Sequence, residues 1–160
     1  MSKKVTCGIL IKTDDGFLLC HPSGRGYDKG CYDIPKGCKE EGETEFNCMA
    51  RELKEETGLI IPSEQFHYIE DLGRYRYTKE KDIHLFYAET HKIDATKLYC
   101  SSELDNGKKE HDSFMITEDL EYCFRSLQNI FRLKGYINYA RKQKEEDSVP
   151  STQEEVVRND

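Results

Sequence analysis

A chain of 160 residues with 34% charged residues and a formal net charge of −7 can bury one sizeable core, so a single domain is expected. Its acidic balance excludes the broad basic footprint of non-specific nucleic-acid binding, while leaving recognition of a nucleotide or an RNA 5′ end open. No apolar run approaches membrane-span length, Met1-Ser2-Lys3-Lys4 lacks the apolar core of a secretory signal, and the seven cysteines show no C-x-x-C pair; a cytoplasmic protein with reduced thiols and no membrane partner is predicted.

Val5 to Lys12 is rich in β-branched residues and reads as a strand, with the turn Thr13-Asp14-Asp15-Gly16 leading to a second strand, Phe17 to His21. The loop from Pro22 to Gly30 holds three glycines and the cations Arg25 and Lys29. By composition it is a plain turn; by position, just before the segment that delivers Gly37, it is a candidate wall of a substrate cleft, with Arg25 and Lys29 as phosphate contacts. Cys31 to Lys36 reads as a short strand ending at Pro35. From about Thr44 to Thr57 good helix formers follow a capping threonine and end at Gly58, with Phe46, Met49, Ala50 and Leu53 as the buried stripe.

Phe66 to Tyr77 reads as a long strand bent near Gly73, with Tyr75 and Tyr77 on one face and Arg74 and Arg76 on the other. Thr78-Lys79-Glu80-Lys81 turns the hairpin into Asp82 to Glu89. A polar stretch follows, with a short helical turn predicted over Asp94 to Tyr99, and then a last strand near Phe114 to Ile116. Thr117 is predicted to cap a second helix whose apolar stripe is Leu120, Cys123, Phe124, Leu127, Ile130 and Phe131. Gly135 interrupts it before Tyr136 to Lys144, and residues 145–160 have too little apolar content to fold.

Glu52, Glu55 and Glu56 crowd one side of two helical turns. In a shielded cleft their repulsion costs roughly 3 kcal/mol per pair, taking ~5 Å and an effective dielectric of about 20. An oxygen-only set of this kind suits Mg²⁺, with Mn²⁺ the alternative, and either ion also grips phosphate oxygens. The competing reading is a solvated acidic helix face.

What separates the two is the frame. Gly37, Glu43, Arg51, Glu52, Leu53, Glu55, Glu56, Gly58 and Leu59 fill every defined position of G-x5-E-x7-R-E-U-x-E-E-x-G-U, U being a bulky aliphatic. The chain therefore resembles the Nudix hydrolases, with no departure inside the motif. The resemblance covers roughly Val5 to Arg132 and implies an α+β fold, an α/β/α sandwich with a mixed sheet between the motif helix and a C-terminal helix; the domain would span 1–144.

It also implies Mg²⁺ or Mn²⁺ bound by the Gly37 carbonyl, Glu52, Glu55 and Glu56. Arg51 would pair with Glu43 to hold the acids in register, and Gly58 would close the helix. Glu110 is the positional match to a further acid that binds metal or serves as general base in several branches; Glu52 is the other candidate base. Pro35-Lys36-Gly37 looks like the branches acting on polyphosphates, where Lys36 would help neutralise a phosphate chain. A tyrosine at the distance of Tyr75 or Tyr77 resembles the dinucleoside polyphosphate hydrolases, although alternating tyrosines on a sheet are also ordinary packing.

The implied reaction is metal-dependent cleavage of a phosphoanhydride in a nucleoside diphosphate linked to another group. Dinucleoside polyphosphates of the diadenosine type rank first. ADP-ribose, nucleotide sugars and dinucleotide coenzymes come next, then RNA 5′ ends, then diphosphoinositol polyphosphates. A binding module that senses nucleotides without cutting them is the non-enzymatic alternative, but such modules usually lose motif glutamates, and all are present here.

Overall fold

The computed structural model describes residues 3–137, and its middle is β1, Lys4–Thr13, whose side chains alternate between two cores. Leu10 joins one core while Cys7, Ile9 and Ile11 join the other, as strand periodicity requires of a sheet covered on both faces. Around it stand β2 (Gly16–Pro22), β3 (Lys36–Cys38), β4 (Phe66–Arg76), β5 (Lys81–Thr90) and β6 (His111–Thr117). The order is β4-β5-β1-β2-β6, with β3 also paired to β1; β1 and β5 run parallel and the remaining pairs are antiparallel. The expected mixed sheet is present.

Two helices cover it. Helix α1, Glu45–Thr57, lays Cys48, Met49 and Leu53 on the core that contains Ile9 and Phe86. Helix α2, Arg125–Leu133, lays Leu127, Ile130 and Phe131 on the opposite core with Leu10, Leu85 and Tyr87. Both ends of α1 follow the predicted chemistry: the Thr44 hydroxyl accepts from Asn47 N–H, and Gly58 takes the left-handed conformation at φ +84°. Among the described residues no helix is long and apolar enough to cross a membrane.

Two expectations are corrected. Cys31 to Lys36 is not a strand: Tyr32 and Asp33 make single bridges to Cys123 and Cys20, and the paired strand is Lys36–Cys38. The reason is that β1 and β2 pair only at their hairpin end, Lys12 with Phe17 and Thr13 with Gly16. Further along they part, and the 32–38 segment wedges between them, bonding Cys20 on one side and Ile9 on the other before β3 pairs with β1. Thr117 caps no helix; it ends β6, and its hydroxyl accepts from Asp119 N–H. A 3₁₀ turn over Leu120–Tyr122, capped by Asp119, comes first, and α2 starts after Phe124. The predicted continuation of this helix beyond Ile137 and the 145–160 tail lie outside the described residues.

Candidate active site

The wedge puts β3 beside α1. Cys7 pairs with Gly37 in the sheet, and Gly37 lies against Glu52 so closely that an added Cβ would sit 2.0 Å from the Glu52 carboxyl carbon. Gly37 has no positive φ, so glycine is required here by close approach and not by backbone angle. One residue earlier, Lys36 N–H donates to Glu56 Oε1 at 3.1 Å. Two motif acids one helical turn apart are thereby tied to two successive residues of the strand.

Arg51 organises the loop side. Its Nε and Nη2 donate to the two oxygens of Glu43 at 2.6 and 3.1 Å, Nη2 also donates to Cys38 O, and Nη1 donates to Glu52 Oε2 at 2.9 Å. Hydrogen bonds from that guanidinium hold the Glu43 carboxyl down at about 2. The predicted Arg51–Glu43 clamp is present, and it extends to the acid beside Gly37.

Glu52 and Glu56 are 8% and 1% exposed. Burial pushes Glu56 up to about 9, helped by the charge of Glu110 and countered by Lys36 N–H. Burial also raises Glu52, to about 7, against the pull of Arg51 and with the push of Glu55 and Glu110. The charge of Glu110 thus acts on both of these acids. Glu55 is more exposed, with Oε2 3.6 Å from Arg51 Nη1.

Sequence reasoning missed His111. It is 4% exposed; its Nδ1 is 3.7 Å from Glu56 Oε1 and has no hydrogen-bond partner. Burial pulls it down to about 4, so the ring is neutral near pH 7. The only available signal was its place next to Glu110 in the chain.

The acids do not converge on one point; among the described residues no three His, Cys, Asp or Glu side chains form a ready-made ion cluster. Arg51 and Gly37 draw Glu52 one way and Lys36 N–H draws Glu56 another. A divalent cation nevertheless fits this set. Buried carboxylates raised by one another's charge gain most from an added positive charge, and the donors are hard oxygens. Gly37 lets the Glu52 carboxyl lie against the strand, and the unpartnered His111 Nδ1 stands 3.7 Å from Glu56 Oε1.

Of the predicted phosphate contacts, Lys36 is at the site by its backbone, but its ammonium bonds Asp33 at 3.0 Å and lies 5.7 Å from the Tyr77 ring centre. Burial lowers its affinity for the proton, yet Asp33 and Tyr77 outweigh this and the group is raised overall. Tyr77 is partly buried beneath it. Tyr75 packs on the α2-side core with its hydroxyl donating to Leu72 O at 2.7 Å, so this ring is packing. Arg25 stacks on Phe124, 5.0 Å from the ring centre, and Lys29 pairs with Asp119 at 2.7 Å. Among the described residues neither cation pairs with a motif acid, and the loop before β3 faces the α2 end of the molecule.

A family model described as the NUDIX domain matches residues 2–128. An ADP-ribose pyrophosphatase of Methanocaldococcus jannaschii is 43% identical over 51 residues, 32% of this chain and 30% of that protein. An uncharacterised 17.7 kDa protein of Enterobacteria phage T4 is 32% identical over 90 residues, 53% of this chain and 58% of that one. The chain therefore spans well under two thirds of either curated relative. Among solved structures, the NUDIX domain of Shewanella oneidensis NrtR, crystallised with ADP ribose, superposes with a TM-score of 0.59 at 17% identity, over 84% of this chain and 88% of that one; the likeness is one of fold. A domain-length match, together with the unbroken motif that brackets Gly37 and α1, places the chain in the Nudix family.

Proposed function

We propose that this chain is a divalent-metal-dependent pyrophosphohydrolase that cuts a phosphoanhydride in a nucleoside diphosphate linked to a second group. The observation that carries the reading is the pair of nearly buried acids, Glu52 and Glu56, held against Gly37 and Lys36 of one strand. A solvated acidic helix face would leave both in water. Fold maintenance alone gives no reason to bury two acids one helical turn apart when a guanidinium reaches only one of them, Glu52.

Gly37 O, Glu52, Glu55 and Glu56 would hold Mg²⁺ or Mn²⁺, which when bound neutralises the bridging phosphates and makes a coordinated water more acidic. The chain's own groups do the rest. Arg51 fixes the Glu52 carboxylate through Nη1 while gripping Glu43 with Nε and Nη2. Lys36 N–H fixes Glu56. A glutamate takes the proton of the attacking water; Glu52 and Glu110 are the two candidates, and the motif position favours Glu52. Glu110 stands beside both acids and raises their proton affinity. Lys36, though paired with Asp33, places an ammonium next to the same strand, which supports a substrate with more than one phosphate.

The retained motif acids argue for turnover over a sensing role. The test is to incubate the full chain with dinucleoside polyphosphates, ADP-ribose, nucleotide sugars and 5′-triphosphorylated RNA. Mg²⁺ or Mn²⁺ is supplied in heavy-oxygen water and products are identified by mass. Metal-dependent release of a nucleotide carrying the heavy oxygen is expected, and Glu56→Gln should abolish it. A folded protein that releases nothing from any of them, or an unimpaired Glu56→Gln, would overturn the reading.

A further inference from the structure

The segment between β5 and β6, polar and unremarkable in sequence, runs back along α1. Tyr99 N–H donates to Thr57 O at 3.1 Å and Ser101 N–H donates to Glu55 O at 2.7 Å. These bonds pin the Tyr99 ring, 60% exposed, at the junction of two cavities. One, of about 450 Å³, is lined by Ser23, Tyr99, Lys108, Lys109 and His111 among others; the other, about 420 Å³, by Arg51, Lys54, Glu55 and Tyr99. Both volumes fall in the ordinary range for small-ligand sites.

Three features of the larger cavity point to one ligand chemistry. Lys109 Nζ lies 4.9 Å from the Tyr99 ring centre and 3.5 Å from Glu103 Oε2 on the exposed side, an aromatic–cation pair such as stacks and charge-matches a base and its phosphate once the surface carboxylate gives way. Lys108 adds a second cation, with no ion pair among the described residues, in a protein whose net charge is −7. The lining also includes His111, whose buried Nδ1 has no partner and is 3.7 Å from Glu56 Oε1. His111 is thus the side chain through which the cavity adjoins the acid cluster.

We propose that this cavity seats one nucleotide half of the substrate, its base stacked on Tyr99, its phosphate between Lys108 and Lys109, and His111 bonding the phosphate end that enters the acid cluster. The assignment rests on the hydrolase reading for its substrate class, and it moves base recognition from the β4 tyrosines to the β5–β6 segment. It gives Tyr99 a reason for exposure on a segment otherwise tied to α1 by backbone bonds.

The test uses full-length, metal-free protein titrated with AMP and, separately, ribose 5-phosphate, followed by backbone amide NMR. AMP should shift the amides of Tyr99, Ser101, Lys109 and His111 and bind at least about tenfold more tightly than ribose 5-phosphate, the order expected for one stacked base. Tyr99→Ala should bring AMP down to the affinity of ribose 5-phosphate, and Tyr99→Phe should restore it. AMP shifts confined to Tyr75 and Tyr77, or equal affinity in wild type and Tyr99→Ala, would overturn the proposal. Glu56→Gln separates it from the reading beneath: the proposal requires that variant to keep the AMP shifts. If it also kept turnover, the acid-site mechanism would fail while the cavity assignment stood.

Discussion

Replacing Glu56 with glutamine should stabilise the metal-free protein at pH 8. Glu56 is 1% exposed, and its carboxyl is raised to about 9, first by burial and then by Glu110. A folded-state value above the unfolded one of about 4.3 means the folded chain holds the proton more tightly. The resulting stability is complete below the unfolded value and is lost as pH rises toward about 9. Between about pH 5.5 and about pH 8 the unfolded glutamate is ionised and the folded one protonated. Stability should then fall by ~1.4 kcal/mol per pH unit, or about 3 kcal/mol in all. For a chain of this size that is roughly 6–12 °C in Tm. His111, pulled down to about 4 by burial, works the other way, adding stability as pH rises toward its ordinary value of about 6.5. It is present in both proteins, so the difference between wild type and variant isolates Glu56. Glutamine keeps an oxygen for Lys36 N–H and carries no charge. The assay is a circular-dichroism melt of chelator-treated full-length protein at both pH values, repeated with Mg²⁺ or Mn²⁺. Wild type should melt lower at pH 8 than the variant does and should gain more from metal there than at pH 5.5, because the ion replaces a proton. A wild type as stable as Glu56→Gln at pH 8 without metal would refute the account of Glu56 as an uncompensated buried acid.

Gly37→Ala should leave the melting temperature nearly unchanged while lowering turnover ~100-fold: the new Cβ collides with the flexible end of Glu52, which swings out of position and does not break the sheet. A variant as active as wild type would remove the close-approach argument. Arg51→Lys offers one ammonium where the guanidinium serves Glu43 twice, Glu52 and Cys38 O. Turnover should fall about 10- to 100-fold, and Glu43, read by NMR titration, should climb from about 2 toward ordinary values; an unmoved Glu43 would contradict this. Glu110→Gln removes a charge that raises both Glu52 and Glu56, so the acid limb of the pH–rate profile should move to lower pH with kcat kept within about tenfold. A loss of ~10³ would transfer the base role from Glu52 to Glu110.

The acids, their clamp and the helix that carries them were legible in the chain because each depends on neighbours a few residues away. Thr44 and Gly58 cap α1 by local bonds, Arg51 reaches Glu43 across eight positions, and helical periodicity puts Met49 and Leu53 inward and sets Glu52 and Glu56 one turn apart. The same local logic failed over 31–36, where a strand-like run became a wedge because β1 and β2 part beyond their hairpin. It failed again at Thr117, a good capping residue that the pairing of β6 with β2 keeps extended.

Cations and aromatics were the least legible. Arg25 and Lys29 looked like phosphate contacts by proximity to Gly37, yet partners about ninety to a hundred residues away in sequence, Phe124 and Asp119, hold them. Lys36 was expected to face substrate and instead bonds Asp33. Tyr99 gave no sequence signal and His111 none beyond its place next to Glu110, since what marks them is burial beside Glu56 for His111 and exposure beside Lys109 for Tyr99. By itself the sequence determined which residues could carry the chemistry, through spacing along one helix. Only the tertiary structure decided which of them share a site, because burial and charge pairing depend on segments that the fold, not the chain, makes neighbours.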